Sequence, residues 1–197
     1  MNGSLKGELG RKAFHMLSLV YLAVYHWLGF PRAVMALGAW LVFVTAVEAG
    51  RFYSDRLSRG LQWIFRGMIR QTEQRSFSGI FHTTMGSFLT VLLAGGHARI
   101  VTAALAWLAL GDAAAALAGK TLGRHPIAGG RKSLEGSLAC LATCLAVGLA
   151  LGLRPAAALA GSLAATIAEL LPSTRFYNDN LFMPVAAAAA LLAFGAR

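Results

Sequence analysis

Residues 100–124 read IVTAALAWLALGDAAAALAGKTLGR. From Ile100 to Gly119 a single charge, Asp112, interrupts an otherwise apolar run, and roughly 20 such residues are what an α-helix needs to cross the hydrocarbon of a bilayer. Working outward, comparable stretches run over Ala13–Pro31, Ala33–Val47, Ser76–Ala98, Gly136–Leu153, Pro155–Pro172 (broken by Glu169) and Leu181–Ala196. The expected fold is therefore all-α: a single polytopic membrane domain over 1–197 with about seven transmembrane helices. The second, sixth and seventh runs are short, and their helices are expected to extend into polar flanks.

Composition agrees. The chain is 57% hydrophobic and 13% charged, with a mean hydropathy of +0.61, a balance too apolar for a soluble domain. The net charge of +10 does not point to nucleic acid, because the basic residues fall between apolar runs and form no basic face on a soluble fold. Anionic lipids and anionic cytosolic ligands are the expected partners.

Orientation follows from Lys and Arg, which concentrate on the cytoplasmic side. With the N-terminus inside and the C-terminus outside, Lys6, Arg11, Lys12, the arginines from Arg51 to Arg75, Lys120, Arg124, Arg131, Lys132 and Arg175 face the cytoplasm, and Arg32, Arg99, Arg154 and Arg197 lie outside. The same assignment places all the carboxylates at the cytoplasmic side, although acids play no part in the rule. The first run lacks a small-x-small cleavage site and reads as a retained helix. Cys140 and Cys144 share one predicted helix face, which suits packing and not a disulfide or zinc site.

Within 51–75, Leu57, Leu61, Ile64, Phe65 and Met68 recur at helical spacing with arginines between them. The pattern predicts an amphipathic cytoplasmic interfacial helix near 55–72.

Asp112 is a carboxylate inside a hydrophobic span, which makes it a functional candidate unless a partner neutralises it. Lys120 follows on nearly the same helix face, so a structural charge network is the competing explanation. Gly111, Ala115 and Gly119 recur every four residues, a pattern that more often serves close helix packing than chemistry. The connection from Lys120 to Lys132 then gathers Lys120, Arg124, Arg131 and Lys132 with glycines at 123, 129 and 130. It leads into a helix N-terminus, whose free N–H groups and positive dipole end favour an anion. Cations, glycines and a helix start together suggest phosphate. Gly119-Lys120-Thr121 is not a P-loop, because the required glycine would fall at Ala114.

Farther on, Glu169 precedes Asn178-Asp179-Asn180. Asp179 or Asn180 could cap the last helix, or the group could serve Mg²⁺ or nucleotide. Two histidines, His15 and His82, fall near the inner ends of their runs and are lower-ranked site candidates, together with Glu73.

The residues resemble the CTP-dependent polyprenol and lipid kinases, which include dolichol kinase, phytol kinase and a fungal-type diacylglycerol kinase. The resemblance rests on Gly111-Asp112-x-x-Ala115 with Gly119-Lys120-x-x-Gly123, on Lys132-Ser133-x-Glu135-Gly136-Ser137, and on Glu169 followed by Asp179-Asn180-Leu181-x-x-Pro184. The middle block is the most specific, and a fainter likeness is Arg11-Lys12-x-x-His15. What the resemblance implies is transfer of the γ-phosphoryl group of CTP to the hydroxyl of an isoprenoid alcohol or diacylglycerol at the cytoplasmic face of the cell membrane, with Mg²⁺ or another divalent cation.

Phosphoryl transfer needs a metal held by carboxylates, cations on the phosphates and an oriented hydroxyl. On that reading Asp112, Asp179 and Glu169 hold the metal, and Lys120, Arg124, Arg131, Lys132, Ser133 and Asn180 meet the nucleotide. Glu135 is the first choice for accepting the hydroxyl proton or binding metal, and Glu169 the second. Two other functions fit parts of the pattern. A phosphatidate cytidylyltransferase-like enzyme would use the same groups but release pyrophosphate. A small ion-coupled transporter would use Asp112 and Glu169 as coupling sites, although the acids gather on one side and no inverted repeat is evident.

Overall fold

A computed structural model describes residues 16–54, 60, 77–130, 132–172, 174 and 177–196. The amphipathic helix expected near 55–72 lies outside the described residues, as do His15, Glu73 and Arg131.

The chain is all-α. Among the described residues, each apolar run becomes one helix: α1 (Leu19–Leu28, after a 3-10 turn at Met16–Ser18), α2 (Arg32–Tyr53), α3 (Gly79–Ala94), α4 (Ala98–Thr121), α5 (Leu134–Ala150), α6 (Pro155–Leu170) and α7 (Asp179–Ala193). Two of them, α2 and α4, are long and apolar enough to cross a membrane by length and composition. The expected extension into polar flanks is seen where α2 continues past Val47 to Tyr53 and α7 begins at Asp179, but not in α6, which stops at Leu170.

Local chemistry sets the helix starts. Ser78 caps α3 by accepting from Phe81 N, Ser133 caps α5 by accepting from Gly136 N, and α6 begins on Pro155 at its first turn, where the missing N–H costs nothing. The cap of α7 is Asn178, whose side chain accepts from Asn180 N. This corrects the expectation that Asp179 or Asn180 plays that part, and it leaves the Asp179 carboxylate in the first turn. The connection from Lys120 to Lys132 is not a plain loop. A two-residue antiparallel pair, β1 (Pro126–Ile127) with β2 (Lys132–Ser133), closes over a turn in which Ala128, Gly129 and Gly130 all have positive φ. Gly129 and Gly130 thus serve the turn's backbone first.

Helix α4 is the hub, packed by α1, α3, α5, α6 and α7, while α7 also lies between α3 and α6, and α2 packs on α3 at the periphery. Close approach depends on glycine. A Cβ on Gly136 of α5 would stand 2.7 Å from the Ala115 carbonyl oxygen and 3.3 Å from Gly119 Cα, and one on Gly111 would stand 2.6 Å from Cys144 Sγ. The stripe Gly111, Ala115, Gly119 is therefore a packing seam against α5, and Cys140 and Cys144 are free, buried thiols within it. On α3, a Gly86 Cβ would lie 2.6 Å from the Asn180 carbonyl oxygen. Pro184, four residues on, has no N–H to bond that carbonyl, so the glycine hydrogen that replaces Cβ points at a carbonyl the proline has left over.

The interior is polar and small in places, and the exterior is large and apolar. Thr84, Ser87, Thr90 and Ser162 are fully buried, whereas Trp27, Met35, Val42, Phe43, Leu138 and Ile167 are exposed. Helix ends alternate along the bundle. The starts of α3, α5 and α7 meet the ends of α2, α4 and α6 at one end, through Glu48 with Ser78 N, Gly119 with Ser133, Asn180 with Gly79, and Lys132 with Glu169.

Candidate functional site

That shared end carries the polar residues singled out in the sequence. Lys132, on β2, points its ammonium into the bundle, where it is hydrogen-bonded to Glu169 Oε1 at the end of α6 and lies 3.7 Å from Asp179 Oδ2 at the start of α7. Asp112 of α4 is near enough to act on the same ammonium electrostatically. Two acids, from α6 and α7, thus meet one cation, with a third, on α4, within its electrostatic reach. Burial works against the Lys132 charge, but Glu169, Asp179 and Asp112 outweigh it and hold the amine above its ordinary value.

Asp112 owes its position to a feature the sequence does not display. Trp107–Gly111 forms a π-helical segment ending at Asp112, and such wide turns recur at functional sites. Trp107 anchors the segment: Cβ atoms on Gly148 and Gly161 would stand 2.9 Å and 2.7 Å from its ring. Lys120 lies eight residues farther along α4, about 12 Å up the axis, and is half-buried.

The hairpin and the start of α5 form the second part of the site. Ser133 Oγ sits among three glycines, since Cβ atoms at Gly119, Gly123 and Gly136 would lie 3.1, 3.0 and 3.2 Å from it. A Gly123 Cβ would also stand 2.2 Å from the Gly119 carbonyl oxygen, so no larger residue fits there. Arg124 is exposed at this end. Glu135 is not part of the Lys132 contacts: its Oε1 lies 2.6 Å from His125 Nδ1 and its Oε2 accepts from His125 N at 3.4 Å.

Asn180 donates its backbone N–H to Asn178 Oδ1 and Asp179 Oδ1, and its side-chain amide faces Gly79 at the start of α3. His82, on α3, is bonded through Nδ1 to the Ser78 carbonyl at 2.9 Å and belongs to the helix start, not to the Lys132 group.

Three contributors escaped sequence reading. His125 holds Glu135. Tyr177 donates its hydroxyl to the Ala168 carbonyl, stacks on Phe182 at 4.6 Å, and is pushed up to about 12 by burial, with Asp179 and Glu169 adding to it. Buried Glu48 binds Arg51 at 2.7 Å and accepts from Ser78 N, fixing the end of α2 to the start of α3. None stands in a recognisable motif, and Glu48 falls just past the end of the apolar run Ala33–Val47.

The donor chemistry suits a divalent cation. Glu169 is buried, and its Oε2 has no hydrogen-bond partner among the described residues, which leaves one hard oxygen donor unused. Among the described residues, however, no three His, Cys, Asp or Glu side chains are gathered as a ready ligand set. The arrangement can hold a cation against carboxylates and an anion against the glycine-lined start of α5. Compared with known families, with characterised proteins and with solved structures, the chain matches none of them.

Proposed function

We propose that this chain is a multi-pass kinase of the cell membrane that transfers the γ-phosphoryl group of CTP to the hydroxyl of a lipid alcohol, an isoprenoid of the polyprenol, dolichol or phytol type or diacylglycerol. The observation that carries the reading is the meeting of Glu169 and Asp179 at Lys132, within electrostatic reach of Asp112 and beside a glycine-lined helix start. A large apolar exterior around buried Ser and Thr supports seven membrane-crossing helices. The positive-inside rule supports an N-in, C-out orientation with the polar end in the cytoplasm.

On this reading the triphosphate lies against the start of α5. Lys120, Arg124, Arg131 and Lys132 balance its charge, and backbone N–H groups around Ser133 add dipoles. Asp112, Asp179 and Glu169 are the residues that would hold a divalent cation, which neutralises charge on the phosphates when bound. The alcohol reaches the site sideways from the inner leaflet. Its oxygen bonds to the γ-phosphorus, the bond to the β–γ bridging oxygen breaks, CDP leaves, and Glu135, oriented by His125, takes the hydroxyl proton.

The test is to incubate purified protein in lipid with Mg²⁺, γ-labelled CTP or ATP, and polyprenols, phytol, geranylgeraniol or diacylglycerol. Label on a lipid alcohol from CTP is the expected result. Pyrophosphate release with phosphatidic acid and no label transfer would move the chain to the cytidylyltransferases.

A further inference from the structure

The kinase reading sends the proton of the lipid hydroxyl to the Glu135–His125 pair by way of the Glu135 carboxylate; the inference rests on that reading and concerns the atom on which the proton lands. Both oxygens of Glu135 are already turned to His125: Oε1 lies 2.6 Å from Nδ1, and Oε2 accepts from the His125 backbone N–H at 3.4 Å. The two side chains also differ in access. The imidazole is 72% exposed and the carboxylate 23%, so a group arriving from outside meets the ring first.

The backbone holds this arrangement in place. Leu134 N donates to the His125 carbonyl at 3.0 Å, and Pro126 pairs with Ser133 across the hairpin. His125 is thereby fastened beside the first turn of α5, where Glu135 stands two residues after the Ser133 cap. A carboxylate is favoured at that end of a helix, and it fixes the ring it faces. The proton of the neutral imidazole belongs on Nδ1, directed at Glu135, which leaves the lone pair of Nε2 pointing outward. The positive ring formed when Nε2 takes a proton is held by the same carboxylate, which is how an acid makes histidine a base without being protonated itself.

We infer that His125 is the catalytic residue that accepts the hydroxyl proton, at Nε2, and that Glu135 is its positioning residue. As the alcohol oxygen bonds to the γ-phosphorus and the bond to the β–γ bridging oxygen breaks, the proton moves to Nε2; the imidazolium gives it to water after CDP leaves. The place suits the step, because the glycine-lined start of α5, against which the reading lays the triphosphate, belongs to the same hairpin and helix turn.

The experiment follows label transfer from γ-labelled CTP to polyprenols, phytol, geranylgeraniol or diacylglycerol by the full chain in nanodiscs, for the parent and for His125→Ala, with and without added imidazole. A pair this exposed contributes little to stability, so the variant is expected to melt with the parent. Transfer should fall about 100-fold or more, and imidazole should restore at least about ten-fold of the loss. Transfer by His125→Ala within about three-fold of the parent, well short of what losing a base costs, overturns the inference, as does a loss that imidazole leaves unrelieved. A second measurement needs no turnover: ¹⁵N-histidine NMR, with the His125 signals identified by their absence in His125→Ala, should show the ring of the parent protonated at Nδ1 and bare at Nε2. A ring protonated at Nε2 and bare at Nδ1 overturns the inference whatever the assay gives. No transfer by the parent to any of these alcohols refutes the kinase reading and this step with it, whereas transfer by the parent that His125→Ala leaves intact refutes this inference alone.

Discussion

Replacing Lys132 with methionine removes the charge but keeps much of the apolar stem, so its effect isolates electrostatics. The side chains of Lys132 and Glu169 are 23% and 3% exposed, which places the carboxylate out of water and most of the lysine with it. Breaking a buried pair by removing one partner leaves an uncompensated charge and costs about 3–5 kcal/mol. The partial exposure of Lys132 argues for the lower end, about 3 kcal/mol. In a chain of 197 residues, that corresponds to a fall in Tm of about 6–12 °C. Glu169→Gln alone leaves Lys132 with Asp179 and Asp112 and is expected to cost less. The double variant should melt well above the sum of the two losses, with a coupling of about 2 kcal/mol. Thermal unfolding followed by tryptophan fluorescence in detergent with EDTA reads all four proteins. A Lys132→Met variant melting within about 2 °C of the parent, well inside the loss predicted for a broken buried pair, or strictly additive losses, would refute the description of this pair as a buried, coupled one.

Other consequences follow from particular contacts. Gly86→Ala forces a Cβ to 2.6 Å from the Asn180 oxygen and 2.9 Å from Leu181 Cα, both backbone, and should cost about 1–3 kcal/mol in melting experiments. Gly111→Ala meets Cys144 Sγ at 2.6 Å, so adding Cys144→Ala is expected to restore at least half of the lost stability. Asp112→Asn should lower label transfer from CTP by about 100-fold or more while the protein still inserts and folds. At alkaline pH, Lys132 and Tyr177 act in the same direction. Each has its folded pKa raised, so each stabilises fully below its unfolded value, about 10 for both, and loses that contribution as pH rises through the folded value, about 12 for Tyr177. Stability should fall above pH about 10, and Tyr177→Phe should flatten part of that fall in a pH series of melts.

The helices were legible because each is a long apolar run, and in such a run the backbone must satisfy itself. Gly111, Ala115 and Gly119 as a packing seam follow a local rule of spacing, and the structure places them accordingly. Asp112 and Glu169 stood out because a charge in an apolar stretch needs a reason, and Asp179 because it stands between two asparagines at a helix start. Local rules did less well where several residue types suit one role: Asn178, not Asp179, caps α7.

Sequence by itself determined the helical class, the approximate positions of the helices seen among the described residues and the residues worth watching, because all of these depend on properties repeated along the chain. Tertiary structure alone decided that Lys132 joins carboxylates of α6 and α7 and feels Asp112 of α4, that Glu135 turns instead to His125, and that a π-helical segment sets the placement of Asp112. Which acid meets which cation depends on helix rotation and on how closely glycines let backbones approach. Those are set by packing between segments far apart in sequence, and no local pattern encodes them.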